Sequence, residues 1–227
     1  MQEPILLAAE APLMGQNTSS AVMQQRREPH TSLDDFPTPP WATRALCEWL
    51  RQQAITLDRC SAREPAANRG HMVRPLREYF CEVEASDIFD YGAGFAVQDY
   101  LFGPLPAPVD FTITNPPFRL AEQFVERMSQ TSEIGFAVFV RTAFLEGIAR
   151  HANLFSCNPP SHVLQFCERV VIHKGKLVPD GSSATAYAWV VWLDGEAPSV
   201  GAMTTYFDWI APCRKQLELA SDYEVAA

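Results

Sequence analysis

Several features that mark common protein classes are missing from this sequence. No two cysteines form a CxxC pair, and the cysteines that occur are scattered at Cys47, Cys60, Cys81, Cys157, Cys167 and Cys213. This spacing argues against a disulfide framework and is typical of reduced thiols in a cytosolic protein. No apolar run approaches membrane-spanning length, and the N-terminus carries acid where a secretory signal peptide carries base. We therefore expect a soluble, cytoplasmic protein.

Metal-ligand spacing is also absent. Cys157, His162, Cys167 and His173 fall within one window of the chain. Their separations match no usual zinc pattern, so we expect no metal site.

A net positive charge, the usual sign of a nucleic-acid binder, is missing too: the chain carries −9 at neutral pH. The basic residues are nevertheless unevenly distributed, because residues 141–176 contain five basic residues and only two acidic ones. The five are Arg141, Arg150, Arg169, Lys174 and Lys176. Such a basic strip on an acidic body can hold phosphates in a salt-dependent way. It is equally compatible with solvated surface charge.

The composition fits one folded domain. The 227 residues are 47% hydrophobic, which suffices for one full core but not for two large ones. Residues 1–34 are polar and irregular and predict a disordered N-terminal tail. We place the folded domain at 35–210 and a C-terminal tail at 211–227.

Strand-like and helix-like segments alternate along this domain, which predicts an α/β three-layer sandwich with a mostly parallel sheet. The last two strands are separated by about a dozen residues without a helix, so they should pair antiparallel. We expect strands at 60–64, 81–87, 109–114, 134–140, 162–172 and 184–193, and helices at 41–53, 119–130, 143–156 and ending near residue 80.

The most informative motif is Thr114-Asn115-Pro116-Pro117-Phe118, directly after the apolar strand at 109–114. Asn115 supplies a carboxamide oxygen, and the two prolines fix the backbone φ angle and remove two backbone donors, which leaves the Pro116 carbonyl free to accept a hydrogen bond. Phe118 adds a flat apolar face. Two acceptors beside an aromatic ring form a socket for a planar group that bears an amino group, although a strand stop over a core Phe has the same pattern.

Other polar groups are expected at the same edge of the sheet, because ligands of open parallel sheets lie at the carboxyl ends of the strands. Glu64 follows the first strand, Asp87 closes the second and Asp99 ends the next short segment. A carboxylate in the position of Asp87 can accept hydrogen bonds from both ribose hydroxyls, or it can simply form a turn.

With these motifs the chain resembles the class I S-adenosylmethionine-dependent methyltransferases, specifically the DNA adenine amino-methylating enzymes, over about residues 36–193. Residues 115–118 match the catalytic (D/N/S)PP(Y/F) motif, and Glu64-Pro65-Ala66 followed by Gly70 resembles the EPAxGxG cofactor loop. Thr38-Pro39-Pro40 before a helix resembles the TPP element of the gamma-type motif order. Asn68 departs from the pattern by replacing a glycine, but Asn tolerates the positive φ that such a loop requires.

The resemblance implies a Rossmann-like methyltransferase fold, S-adenosylmethionine as cofactor and DNA as partner. Thr38 and Glu64 would lie near the methionine end of the cofactor, and Asp87 would bind its ribose. Ile88 would pack on the cofactor adenine, and Asp99 would accept a hydrogen bond from its amino group. The cofactor site would comprise Thr38, Pro39, Glu64, Pro65, Ala66, Asn68, Gly70, Asp87, Ile88, Asp99 and Tyr100, and the catalytic site Asn115, Pro116, Pro117 and Phe118.

Substrate contacts are expected from Arg141 and from the turn at residues 173–181, which includes Lys174 and Lys176. Two lysines and two glycines suit phosphate contact better than base readout. Only about 50 residues follow Lys176, too few for the large target-recognition domain of gamma-type enzymes. We therefore expect little sequence specificity or a very short site.

Three alternatives remain open. Ribosomal RNA guanine-amino methyltransferases and the glutamine methyltransferases of release factors use similar NPPF or NPPY motifs, because any planar amino group fits the socket. A methyltransferase-fold protein without activity that serves as an interaction module is the third.

Overall fold

The structure is a computed structural model that describes residues 34–179, 181–194 and 204–224, so the expected tail at 1–34 lies almost entirely outside the described residues. Within them, the strands are β1 (Ser61–Glu64), β2 (Glu82–Asp87), β3 (Ala96–Val97), β4 (Val109–Thr114), β5 (Ser132–Arg141), β6 (His162–Phe166), β7 (Tyr187–Leu193) and β8 (Tyr206–Ile210). These eight strands form one sheet in the order β3-β2-β1-β4-β5-β7-β6-β8.

The pairing pattern confirms the expected fold class. Strands β3, β2, β1, β4 and β5 run parallel to one another. Strand β7 runs antiparallel to both β5 and β6, which forms the antiparallel hairpin expected at the C-terminal side. The α-helices are α1 (Pro40–Gln52), α2 (Val73–Tyr79), α3 (Ala121–Met128), α4 (Ile148–Arg150) and α5 (Arg214–Leu217).

The central strands β4, β5 and β7 are buried on both faces, which makes the fold a three-layer sandwich. Along β5, Phe136, Val138 and Val140 belong to one apolar cluster, and Ala137 and Phe139 belong to another. Successive strand residues point to opposite faces, so the two clusters lie on the two sides of the sheet. The first cluster includes the apolar face of α3, and the second includes residues of α1 and α2.

Helix α1 begins where prolines favour a helix start. Pro40 occupies the first helical position, where its missing N–H costs no hydrogen bond, and Pro39 is the N-cap. The predicted apolar face is buried against the sheet, and Trp189 on β7 donates its indole N–H to the carbonyl of Ala42 at 2.9 Å. This packing holds the residues just before α1 against the carboxyl edge of the sheet.

Two segments differ from the sequence-based expectations. The helix expected at 143–156 is a 3₁₀ turn (Thr142–Leu145), the short α4 and a π-helical turn (His151–Phe155). Gly147, with φ of 120°, separates the first two of these and prevents one continuous helix. The strand expected at 162–172 ends at Phe166.

Strand β8 was not expected. Four of its five residues are exposed, so it has no apolar alternation, and it forms by parallel pairing with β6. Beyond it, in the segment assigned to a C-terminal tail, buried Asp222 accepts two hydrogen bonds from the Arg44 guanidinium on α1. The boundary at residue 210 stays a prediction.

Among the described residues, none of the helices combines the length and apolar character that crossing a bilayer requires. The same residues contain no group of three or more His, Cys, Asp or Glu side chains arranged to hold a metal ion.

Candidate active site

The candidate site lies at the carboxyl edge of the parallel strands. Glu64 is the last residue of β1, Asp87 the last of β2, and Arg141 the last of β5, while Asn115 directly follows β4. Because these strands are parallel neighbours, their ends meet at one edge, where open α/β sheets bind ligands. The chain path therefore brings together groups that are far apart in the sequence.

The Asn115 side chain is held in one orientation. Its Nδ2 donates to the Phe36 carbonyl and to the Thr38 hydroxyl, each at 2.9 Å. A carbonyl can only accept, so the nitrogen rather than the oxygen of the carboxamide must face Phe36. Within the part of the chain that the structure describes, neither Asn115 Oδ1 nor the adjacent Pro116 carbonyl has a donor. Both oxygens remain available as acceptors.

Phe118 lies in a layer of flat groups. The Arg141 guanidinium carbon lies 4.1 Å from the centre of the Phe118 ring, and the Phe36 ring lies 5.7 Å away at an angle of 42°. The Phe118 N–H donates to the Asp34 carboxylate at 2.7 Å, which fixes the backbone after the two prolines. One face of the Phe118 ring is thus covered by a guanidinium, which is itself planar and stacks on rings.

Glu64 joins the loop after β1 to the end of β4. Its Oε1 accepts the Ala66 N–H at 3.0 Å and the Thr114 hydroxyl at 2.6 Å. The side chain is fully buried, and this burial raises the pKa of Glu64 to about 8 despite those two hydrogen bonds. Its Oε2 is buried without a hydrogen-bond partner among the described residues. A buried, unpartnered carboxyl oxygen is costly unless a ligand group meets it.

Asp87 is held by backbone donors. Its carboxylate accepts the N–H of Asn68 and the N–H of Phe89, both at 2.9 Å. Burial is the largest influence and raises the pKa of Asp87, while these backbone hydrogen bonds lower it. Two fixed contacts leave the remaining lone pairs of the carboxylate in defined directions.

The loop after β1 adopts the backbone that the sequence predicted. Asn68 has a φ of 49°, the left-handed region that Asn tolerates better than most residues. Gly70 has a φ of 82°, and a Cβ there would come within 2.8 Å of the Phe95 ring. The replacement of a glycine by Asn68 is therefore compatible with the observed loop, whereas Gly70 has no substitute free of strain.

Residues 34–38, which we call the strap, connect this loop with the rest of the site. Asp35 accepts hydrogen bonds from Asn68 Nδ2 at 2.7 Å and from Arg69 Nη1 at 2.9 Å. Burial raises the pKa of Asp35, but the hydrogen bonds from Arg69 and Asn68 outweigh it and lower that pKa overall. The Asp35 carbonyl also accepts the N–H of Gly175, so the strap contacts the turn that contains Lys174 and Lys176.

Of the other residues assigned from the sequence, Ile88 directly follows Asp87 at this edge, whereas Tyr100 contacts Thr131 just before β5, at the opposite edge of the sheet. Ile88 is 62% exposed beside Asp87, and Asp99 is exposed and accepts the Leu101 N–H in a local turn. Tyr100 is buried, and its hydroxyl is 3.1 Å from that of Thr131 on the α3 side of the sheet. Lys174 and Lys176 are exposed at the turn. The cofactor, catalytic and substrate assignments of these residues stay predictions.

Sequence reasoning did not include Asp34, Asp35, Phe36 or Arg69 in the site. Their position in the sequence could have indicated a role, because the first three directly precede the Pro37-Thr38-Pro39-Pro40 element. Their contacts, however, are made with residues that lie far along the chain, such as Phe118, 84 positions away.

Comparison with known proteins identifies the fold of this chain. No protein-family model and no curated protein sequence matches this chain. Among solved structures, the chain matches a Listeria monocytogenes protein assigned as a class I S-adenosylmethionine-dependent methyltransferase, with a TM-score of 0.60 and 12% identity over 83% of this chain and 69% of that one. It matches a Pyrococcus horikoshii protein assigned as an RNA methyltransferase, with a TM-score of 0.54 and 16% identity over 78% of this chain and 98% of that one.

A third match is the modification subunit of a type I restriction enzyme, as assigned, from Vibrio vulnificus, with a TM-score of 0.51 and 13% identity. It covers 88% of this chain, which spans about half (53%) of that subunit's length. At these identities the shared property is the backbone architecture. The chain therefore has the Rossmann-like fold of the class I S-adenosylmethionine-dependent methyltransferases.

Proposed function

We propose that this chain transfers a methyl group from S-adenosylmethionine to the exocyclic amino group of adenine in DNA, with little or only short sequence specificity. The observation that carries the proposal is the orientation of Asn115. Its amide nitrogen is bound by Phe36 and Thr38, which leaves Oδ1 beside the Pro116 carbonyl as a pair of acceptors.

This pair matches the needs of a ring-bound amine. The lone pair of such an amine is delocalised into the ring, so the nitrogen is a poor nucleophile. Acceptors for both of its hydrogens favour a tetrahedral nitrogen, whose lone pair then points away from the ring plane. The two oxygens also stabilise positive charge that develops on the nitrogen, as preset dipoles do in other active sites, and no strong base is needed.

The residues around the strand ends fit the cofactor. The unpartnered Oε2 of Glu64 suits a cationic amino group, and the carboxylate of Asp87 suits the two ribose hydroxyls. Bound S-adenosylmethionine supplies an electrophilic methyl group. The loop through Asn68 and Gly70 would hold it by backbone contacts, and exposed Ile88 would cover its adenine.

DNA is favoured as the substrate by two observations. The fold is shared with a protein assigned as the modification subunit of a type I restriction enzyme, and exposed Lys174 and Lys176 lie on a turn that the strap ties to the site. Lysines in that position suit phosphates and carry no base preference. In a duplex the target base must be flipped out at a cost of a few kcal/mol, and the planar groups of Phe118 and Arg141 can offset part of it by stacking.

RNA is the second candidate substrate, because the chain shares its fold with a protein assigned as an RNA methyltransferase and matches almost the whole of that protein. The acceptor pair does not distinguish a base in RNA from one in DNA. In either case we assign the activity to residues 35–210 and expect it in the cytoplasm.

The proposal is tested by incubating the protein with methyl-labelled S-adenosylmethionine and separate pools of unmethylated DNA, RNA and protein. Each pool is then digested and the methylated product is identified by mass spectrometry. We expect N6-methyladenine in the DNA pool, and at least a hundredfold slower formation with Asn115→Ala, which controls for a contaminating enzyme. Label in RNA alone would replace the proposal with the second candidate. Cofactor binding without transfer to any pool would favour the inactive interaction module.

A further inference from the structure

We propose that Thr38 is a positioning residue for this reaction. Its hydroxyl, together with the Phe36 carbonyl, keeps the Asn115 carboxamide in the orientation in which Oδ1 faces the substrate amine that receives the methyl group. The inference rests on the proposed function, and it assigns Thr38 a different role from the cofactor contact implied by the family resemblance. Its key observation is the 2.9 Å hydrogen bond from Asn115 Nδ2 to Thr38 Oγ1.

A carboxamide needs such a partner because its two ends are almost equal in size. If the Asn115 amide rotated by about 180°, its NH₂ group would take the place of Oδ1. The NH₂ group is a hydrogen-bond donor, so it could not accept a hydrogen bond from the substrate amine. The Phe36 carbonyl opposes this rotation, since it would then face an oxygen. The Thr38 hydroxyl can donate as well as accept, so the Phe36 carbonyl decides which end of the amide faces the strap, and the hydrogen bond to Thr38 holds the plane of the carboxamide in that orientation.

The position of the Thr38 hydroxyl is itself well defined. Thr38 stands between Pro37 and Pro39, whose rings fix φ, and a residue that precedes proline is restricted to extended backbone. A β-branched side chain has few χ1 rotamers, and the residue is only 2% exposed. An acceptor placed in this way can hold the amide without first being ordered by substrate.

A neighbouring threonine provides a matched control. Thr43 lies on α1, is fully buried, and its hydroxyl has no hydrogen-bond partner among the described residues. Thr43→Val thus makes the same chemical change as Thr38→Val in the same part of the fold, but away from Asn115. Thr38→Ser keeps the hydroxyl and removes only a methyl group.

Turnover and cofactor binding are measured for all three variants, after thermal unfolding has shown that each is folded. We expect Thr38→Val to lower kcat about tenfold, the scale for losing one hydrogen bond that orients a catalytic group. Its Kd for S-adenosylmethionine should stay within about twofold of the parent, whereas Thr38→Ser and Thr43→Val should keep near-parental kcat. Weaker cofactor binding by Thr38→Val with unchanged kcat at saturation would overturn the proposal.

A second readout does not depend on methyl transfer. The side-chain NH₂ of Asn115 is assigned in the ¹⁵N NMR spectrum by its loss in Asn115→Ala, and its hydrogen exchange is followed. Exchange should become several times faster in Thr38→Val than in the parent and should be unchanged in Thr38→Ser and Thr43→Val. Equal exchange in the parent and in Thr38→Val would refute the positioning role even if the protein methylated none of the pools.

Discussion

Glu64 links the proposed cofactor site to pH. Burial raises its pKa from the ordinary 4.5 to about 8, so about nine-tenths of the side chains are protonated at pH 7 when no cation is near. Its Oε2 is buried and unpartnered. If the cationic amino group of S-adenosylmethionine binds at this oxygen, the carboxylate form becomes the favoured one. Binding at pH 7 should then release almost one proton.

The expected magnitude follows from linkage. When binding releases about 0.9 proton, the association constant rises almost tenfold for each unit of pH. The affinity for S-adenosylmethionine should therefore rise by that factor between pH 6 and 7. Isothermal titration calorimetry in buffers of different ionisation enthalpy measures the proton count directly. Glu64→Gln is the matched control, because it keeps an oxygen that can accept from Ala66 and Thr114 but cannot ionise.

The stability of the protein without cofactor also tests Glu64, because the free energy of unfolding should fall with pH whereas the cofactor affinity should rise. The pKa of Glu64 in the folded protein lies above its unfolded value, so the unfolded chain binds fewer protons between these values. The free energy of unfolding should therefore fall as pH rises from about 4.5 to 8, by about 3–5 kcal/mol in total, and Glu64→Gln should remove this loss. If parent and Glu64→Gln show the same proton release and the same pH dependence of unfolding, the assignment of Glu64 is wrong.

Three further predictions address the other parts of the site. Asn115→Ala removes one of the two acceptors and should lower kcat by about 10²–10³-fold while the Kd for S-adenosylmethionine changes little; parental turnover would exclude Asn115 as catalytic. Asp87→Ala should weaken S-adenosylmethionine binding by about 1–3 kcal/mol in calorimetry, the scale for hydrogen bonds to a charged group, and unchanged affinity would remove Asp87 from the site. Replacing both Lys174 and Lys176 with Ala should lower DNA affinity and flatten its salt dependence without changing base preference; an unaltered salt slope would show that phosphates are held elsewhere.

The central strands, and the polar residues at their carboxyl ends, could be predicted because they follow from local sequence patterns. The apolar run at 109–114 forms the buried strand β4, and the two prolines after Asn115 end it. Irregular parts were harder. Gly147 divides a segment whose composition favours a helix, and β8 forms only because β6 offers it an edge.

The order of strands and helices follows from local sequence patterns, and with it a parallel sheet whose carboxyl edge holds Glu64, Asp87 and Asn115. The contacts of those side chains depend on residues from distant parts of the chain. The two partners of the Asn115 amide lie 77 and 79 positions away, and the Arg141 guanidinium covers a ring 23 positions before it. Such contacts depend on how packing of α1 against β7 directs the strap across the sheet edge, and no local pattern encodes that path.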